Sequence, residues 1–184
     1  MDDSQAIRRL KRGDLSGLEA LMGRYQVKAA RAAFLVTYDE ALAQDIVQEA
    51  FLRIYQRIRQ FDELQPFEPY LIRSVINASL NAIRDNRRLT SLDSHARELE
   101  TLLDRAASVE SQVELNQLQH EILNALSRLS PRQRAVIVQR YYLGMSEREM
   151  SLALDAAPGT VKWLLNAARG RLRQLLGQKG GPNE

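Results

Sequence analysis

Apolar residues recur three and four positions apart through most of the chain, and the strict alternation that marks half-buried strands is absent. This spacing predicts a first helix that starts after Gly13-Asp14 and runs through Leu18, Leu21, Met22 and Tyr25 toward Phe34. A second opens at Asp39 or Glu40 and repeats Ile46, Val47, Ala50, Phe51, Ile54 and Ile58 on one face, with Asp45, Gln48, Glu49, Arg53 and Gln56 elsewhere on its surface. Phe61-Asp62-Glu63-Leu64-Gln65-Pro66 breaks the pattern. A third helix then starts near Pro69, a residue suited to a first helical turn, and reaches about Arg88.

Residues 89–116 lose the period and gain acid and serine, so they are read as a tether with one helical turn near Leu99–Leu103. Helical order resumes at Gln117 and runs to about 128, then covers 131–142 behind the helix-starting pair Ser130-Pro131, then Ser146–Leu154 and Gly159–Leu176. The expected fold class is all-α: a helical domain over 1–90, an acidic linker over 91–116, a second helical domain over 117–178, and a disordered tail over 179–184 with Gly180-Gly181-Pro182 fraying the end.

Charge sharpens this division. Residues 1–90 carry 14 Lys/Arg against 12 Asp/Glu, residues 91–116 carry 2 against 6, and residues 117–184 carry 10 against 5. Two net-positive units joined by a net-negative one fit a protein that meets something anionic at both ends. With 184 residues, zero cysteines and only two histidines (His95 and His120), the chain has no disulfide scaffold, no thiolate zinc site and no thiol nucleophile. No glycine-rich phosphate loop, paired histidine or serine-centred nucleophile motif is present, which argues against an enzyme. No apolar run approaches the roughly 18 residues of a membrane span, and the start Met1-Asp2-Asp3-Ser4 lacks the character of a signal peptide. The expectation is a cytoplasmic protein with no metal, cofactor, small-molecule substrate or membrane span.

Two stripes carry the candidate chemistry. In the C-terminal unit, Ser146 caps a short helix with Glu149 three residues on, and Asp155-Ala156-Ala157-Pro158 turns into a helix opened by Gly159-Thr160. That is the helix-turn-helix shape, whose second helix enters the major groove. At about 100° per residue, Lys162, Asn166, Arg169 and Arg173 share one face, while Val161, Leu165, Ala168, Leu172 and Leu175 take the core side. The cations suit phosphate oxygens and the amide suits a base edge. Taken alone such a stripe is equally a solvated helix face; the capped helix and turn before it favour the DNA reading.

In the third helix, Arg73, Asn77, Asn81, Arg84 and Arg88 recur on one side, with Leu71, Val75, Ala78 and Ala82 opposite and Ile72, Ile76 and Ile83 on a second buried flank. Asparagines between arginines can pair with base edges while the cations hold the backbone. Phe61, Phe67 and Tyr70 cluster beside this stripe, and aromatic rings next to cations are what unstacked bases require, although core packing is the ordinary role for Phe67 and Tyr70. The second helix presents Asp45, Gln48 and Glu49, which suit a protein partner better than DNA.

These residues resemble a known family. Ala43-Gln44-Asp45-Ile46-Val47-Gln48-Glu49-Ala50-Phe51-Leu52-Arg53-Ile54-Tyr55 is similar to the region 2 helix of bacterial sigma factors of the extracytoplasmic-function (ECF) group. Leu126-Ser127-Arg128-Leu129-Ser130-Pro131-Arg132-Gln133-Arg134-Ala135-Val136, with Gly159-Thr160-Val161-Lys162, looks like that group's region 4. The resemblance implies a σ2–linker–σ4 protein that binds core RNA polymerase and directs promoter recognition and DNA opening. It further implies that Asp45, Gln48, Glu49 and Arg53 dock on the β′ clamp helices, with the β flap as a further contact. Phe61, Asp62, Arg73, Asn77, Asn81, Arg84 and Arg88 are then expected to hold melted bases of the minus-ten element. Gly159, Thr160, Lys162, Trp163, Asn166, Arg169 and Arg173 are expected to read the minus-thirty-five element as duplex, and an anti-sigma factor is an expected partner. The chain departs from the family pattern at Tyr70, where Trp is usual, at Trp163-Leu164, where a Ser-Arg pair is common, and at Ala167 and Gly170, where basic residues are frequent. Gly170 inside a helix implies close packing there or a weak helix end. The other reading of the residues is a helix-turn-helix regulator with residues 1–90 as a sensory or dimerising domain; the Arg73–Arg88 stripe is the feature such a domain does not need.

Overall fold

The computed structural model describes residues 1–86 and 112–177. The turn expected near Leu99–Leu103, Arg88 and the 179–184 tail lie outside the described residues. The regular elements among those described are helical: α1 (Asp3–Lys11), α2 (Ser16–Thr37), α3 (Glu40–Arg57) with a 3-10 turn at Ile58–Gln60, α4 (Phe67–Asn86), α5 (Gln112–Ser127), α6 (Pro131–Ile137) continued by a π-helical turn at Val138–Tyr142, α7 (Glu147–Leu154) and α8 (Pro158–Gly177).

The first helix is one that the apolar period alone did not predict. α1 forms because Asp2 accepts a hydrogen bond from Gln5 N at 2.7 Å while Gln5 Oε1 accepts from Asp2 N, a reciprocal cap that satisfies two otherwise orphaned donors. Ala6, Ile7 and Leu10 are then buried against α2. The two helices approach so closely that a Cβ at Gly17 would run into the carbonyl oxygen of Ala6, so glycine is required by contact and not by backbone angle. α2, α3 and α4 complete a bundle around Leu21, Phe51, Phe67, Leu71 and Ile76. Each such side chain contributes about 1.5–3 kcal/mol on burial.

α4 starts at Phe67, two residues ahead of the expected start, and Pro69 sits within the first turn, where its missing N–H costs no helical bond. α5 starts at Gln112, inside the stretch read as tether. The predicted continuous helix over 131–142 is instead interrupted: after Ile137 the chain shifts to i→i+5 bonding, with Leu143 N donating to Val138 O at 3.0 Å. Gln139, at the start of this bulge, is fully buried with neither amide atom hydrogen-bonded. An unsatisfied buried amide costs about 1–3 kcal/mol, so this turn carries a local penalty offset by the packing around it.

The C-terminal helices pack through Val136, Met150, Ala153, Val161, Leu165 and Ala168. The capping box expected at Ser146 forms, with Glu149 N donating to Ser146 Oγ at 3.3 Å, and the helix start at Ser130 has a second one, with Gln133 N donating to Ser130 Oγ at 3.3 Å, each answered by the reciprocal bond. The Ser146 hydrogen bonds hold the Glu149 carboxyl below its ordinary range. Gly170 corrects the expectation of tight packing or a helix end. A Cβ there would meet nothing within 4 Å, and α8 continues past it to Gly177.

The two halves touch. α2 and α4 pack on α6, and α4 packs on α7. Arg134, on α6 and only 8% exposed, reaches across: its Nε donates to Val36 O at 3.0 Å, and its Nη1 donates to Ser127 O at 3.1 Å and Leu129 O at 3.3 Å. Val36 and Ser127 lie at the C-terminal ends of α2 and α5, where carbonyls lack intrahelical partners and the helix dipole favours a cation. One guanidinium therefore caps two helices. Tyr38, in a left-handed conformation just past α2, lies under that guanidinium at 5.0 Å and donates its hydroxyl to Leu123 O at 2.7 Å. Burial pushes the Tyr38 hydroxyl well above its ordinary pKa, and Arg134 offsets only part of the rise.

Candidate nucleic-acid and protein-binding surfaces

α4 places its stripe as the 3.6-residue period requires. Arg73, Asn81 and Arg84 are exposed, Asn77 is half-buried, and Leu71, Ile72, Val75 and Ile76 face the core. Ala78, Ala82 and Ile83 are half-buried. Arg84 lies 3.6 Å from the neighbouring Asp85 carboxylate, an exposed pair worth little.

The aromatic expectation is corrected at Phe61. Its ring is 8% exposed and packs edge-on against Phe67 at 6.0 Å and Tyr70 at 5.0 Å, because three rings at the mouth of the bundle gain more by burying one another than by facing water. Phe61 therefore supports the loop from beneath, while Asp62 stays on the surface and accepts from Leu64 N at 3.0 Å. Sequence reasoning missed two features of this loop. Leu64 stands 93% exposed at its tip, and Lys11 of α1 donates to Glu63 Oε1 at 2.9 Å, anchoring the loop to the unpredicted helix. That hydrogen bond lowers the Glu63 carboxyl pKa. Lys28 and Glu68 form a second tie, between α2 and the start of α4. No local pattern could have found either pair, since their members are 52 and 40 residues apart.

On α3, Asp45, Gln48, Glu49 and Arg53 are all exposed, and Glu49 pairs with Arg53 one turn on. Beside Gln48 a groove of about 410 Å³ runs between α2 and α3, lined by Val27, Arg31, Phe34, Gln44 and Val47 among others. Val27 is 62% exposed and Leu52, on α3, 53%. An acidic and amide-bearing ridge next to uncovered apolar side chains has the character of a protein interface rather than a DNA surface.

α7 and α8 form the expected helix-turn-helix, with Asp155 left-handed at the turn and Pro158 opening α8. Val161, Leu164, Leu165, Ala168 and Leu175 are buried and Leu172 is half-buried. Gly159, Thr160, Lys162, Trp163, Asn166 and Arg173 are exposed and Arg169 is half-buried. Leu164 is core, so of the unusual Trp163-Leu164 pair only Trp163, 66% exposed, is offered to a ligand.

The α4 stripe and the start of α8 border one cleft. Asn77, Asn81 and Arg84 of α4 share a cleft of about 1010 Å³ with Arg132 and Gln133 of α6 and Thr160 and Trp163 of α8. Among the described residues no group of His, Asp or Glu is arranged to hold a metal, and no helix is long and apolar enough to cross a membrane.

Among the described residues the elements are helical, with a polar-basic stripe on one half and a helix-turn-helix on the other, an arrangement that fits a protein meeting nucleic acid at two places. The comparisons name the family. Sigma-70 region 2 matches residues 21–89, and Sigma-70 region 4 matches residues 119–172. The chain is 32% identical to the ECF RNA polymerase sigma factor SigL of Mycobacterium tuberculosis, over 89% of this chain and 90% of that one. Its fold is similar to that of CnrH in complex with the cytosolic domain of CnrY (TM-score 0.68, 23% identity, 96% of this chain and 97% of that one). It is also similar to the sigma factor RpoE of Bartonella quintana in complex with the anti-sigma factor NepR (TM-score 0.63, 19% identity, 86% and 98%). The chain belongs to the ECF group of sigma-70 RNA polymerase sigma factors and acts in transcription initiation.

Proposed function

We propose that this sigma factor divides its work between three surfaces and performs no catalysis itself. The exposed Asp45, Gln48, Glu49 and Arg53, with the adjoining α2–α3 groove, dock on the clamp helices of the polymerase β′ subunit, and the C-terminal half meets the β flap. Arg73, Asn77, Asn81, Arg84 and Arg88 with Asp62 hold the separated minus-ten strand. Gly159, Thr160, Lys162, Trp163, Asn166, Arg169 and Arg173 engage the minus-thirty-five duplex. The units act as domains over 1–90 and 117–178, joined through 91–116, in the bacterial cytoplasm.

One observation carries this reading: the minus-ten stripe and the start of α8 face the same cleft. Asn77, Asn81 and Arg84 face the C-terminal half across this cleft of about 1010 Å³, so the minus-ten stripe is partly covered while the halves are together. The halves must separate before the minus-ten stripe is fully open to a strand, and core polymerase supplies the separation by holding each half at promoter spacing and high effective concentration. The same cleft is the natural seat for an anti-sigma factor, which would then oppose polymerase by keeping the DNA surfaces covered.

The free chain, at a net charge of only +3, is therefore expected to give little sequence-specific gel shift, while the chain with core polymerase gives strong promoter complexes. Tight, selective promoter binding by the free chain, unchanged by core polymerase, would overturn the proposal.

A further inference from the structure

Tyr141 lies outside every surface described above, yet it touches one of them. It belongs to the π-helical turn Val138–Tyr142, an element that often marks a functional position. The turn is held on both sides: Met145 N donates to Gln139 O at 2.9 Å, and Arg140 Nη1 donates to Met145 O at 3.0 Å. The Tyr141 ring is 62% exposed, so burial does not explain its position. Its hydroxyl accepts from Arg169 Nε at 2.7 Å, and the Arg169 guanidinium carbon lies 5.7 Å from the ring centroid.

We propose that Tyr141 is a positioning residue that aims Arg169 at a DNA phosphate on the flank of the minus-thirty-five duplex. The inference rests on the reading of α8 as the duplex-binding helix. With Nε engaged by the hydroxyl, the two terminal guanidinium nitrogens remain as an outward fork, the geometry suited to a pair of phosphate oxygens. Phosphate is favoured over a base because Arg169 is the twelfth residue of α8. At about 1.5 Å per residue it sits some 16 Å along the axis from Pro158, beyond a groove about 12 Å wide, whereas the first turns of such a helix meet base edges. A free arginine loses several rotors on binding; one already held by Tyr141 has fewer to lose. The i→i+5 turn redirects the side chains that follow Ile137, and it presents Tyr141 to α8.

The test measures binding of core polymerase carrying the full-length chain to a promoter fragment selected from genomic DNA by that holoenzyme, between 50 and 200 mM salt. Tyr141→Phe keeps the ring and its exposed position and removes only the hydroxyl. It is expected to weaken binding about three- to tenfold, in line with one lost hydrogen bond, without changing the salt slope. Arg169→Ala is expected to weaken binding further and to lower the slope by about one. The double variant should match Arg169→Ala alone. Losses that add in the double variant, or an unaffected Tyr141→Phe beside a weakened Arg169→Ala, would overturn the role of Tyr141. An unaffected Arg169→Ala would instead overturn the underlying placement of Arg169 on the duplex.

Discussion

Holoenzyme carrying Asn77→Ala and Asn81→Ala together is expected to bind promoter duplex through α8 but to open it at least about 30-fold less well. Each asparagine that pairs with a base edge contributes about 1–3 kcal/mol of discrimination, and the figure takes the lower end for the pair. Structural damage is a poor alternative explanation. Asn81 is exposed and Asn77 half-buried, neither side chain makes a described hydrogen bond that holds the fold, and alanine is the better helix former. Permanganate reactivity of unpaired thymines, set beside a gel shift of the same complexes, separates opening from binding. Unchanged thymine reactivity would remove the asparagines from the melted-strand surface.

The second large effect concerns Arg134. Replacing it with leucine leaves the carbonyls of Val36, Ser127 and Leu129 without their charged donor and exchanges a buried cation for an aliphatic chain. Hydrogen bonds to charged groups are worth about 1.5–3 kcal/mol each, but they are not additive here because they share one guanidinium. A total near 3–5 kcal/mol corresponds to a fall in Tm of roughly 6–20 °C for a chain of this size. The interface between the halves should loosen as well. Small-angle scattering should show a larger radius of gyration for Arg134→Leu than for the wild type, at a temperature where circular dichroism shows both fully helical. An unshifted Tm would mean that water replaces this side chain at both helix ends without loss.

Much of this architecture was legible in the sequence because short-range physics produced it. The apolar periods of α2, α3, α4 and α8 mark their buried faces, and the serine caps at Ser130 and Ser146 are local hydrogen-bond problems with local solutions. α1 was missed because nine residues hold too few apolar positions to establish a period, although Asp2 and Gln5 carried the capping signal. The π turn was missed because Val138–Tyr142 continues an ordinary helical pattern, and its shift in bonding reflects packing around Gln139 rather than any breaker residue.

The candidate surfaces divide in the same way. Stripes on one helix, such as Arg73–Arg84 and Lys162–Arg173, follow from angular spacing. What remained hidden depends on contacts between residues far apart in the chain: Lys11 on Glu63, Arg134 on Val36, and Arg169 on Tyr141. Phe61 shows the limit within a single loop, since an aromatic beside a basic stripe reads alike whether it faces bases or the core. Only its burial against Phe67 and Tyr70 decides.

The central claim is that two separate DNA surfaces on this chain work only when polymerase spreads them apart. The most direct measurement is transcription from a library of genomic fragments by core RNA polymerase with and without the protein, with every start site mapped. The account predicts starts that appear only when the protein is added and share two sequence blocks at one fixed spacing. Starts that do not depend on the protein, or a single shared block with no partner at constant distance, would contradict it.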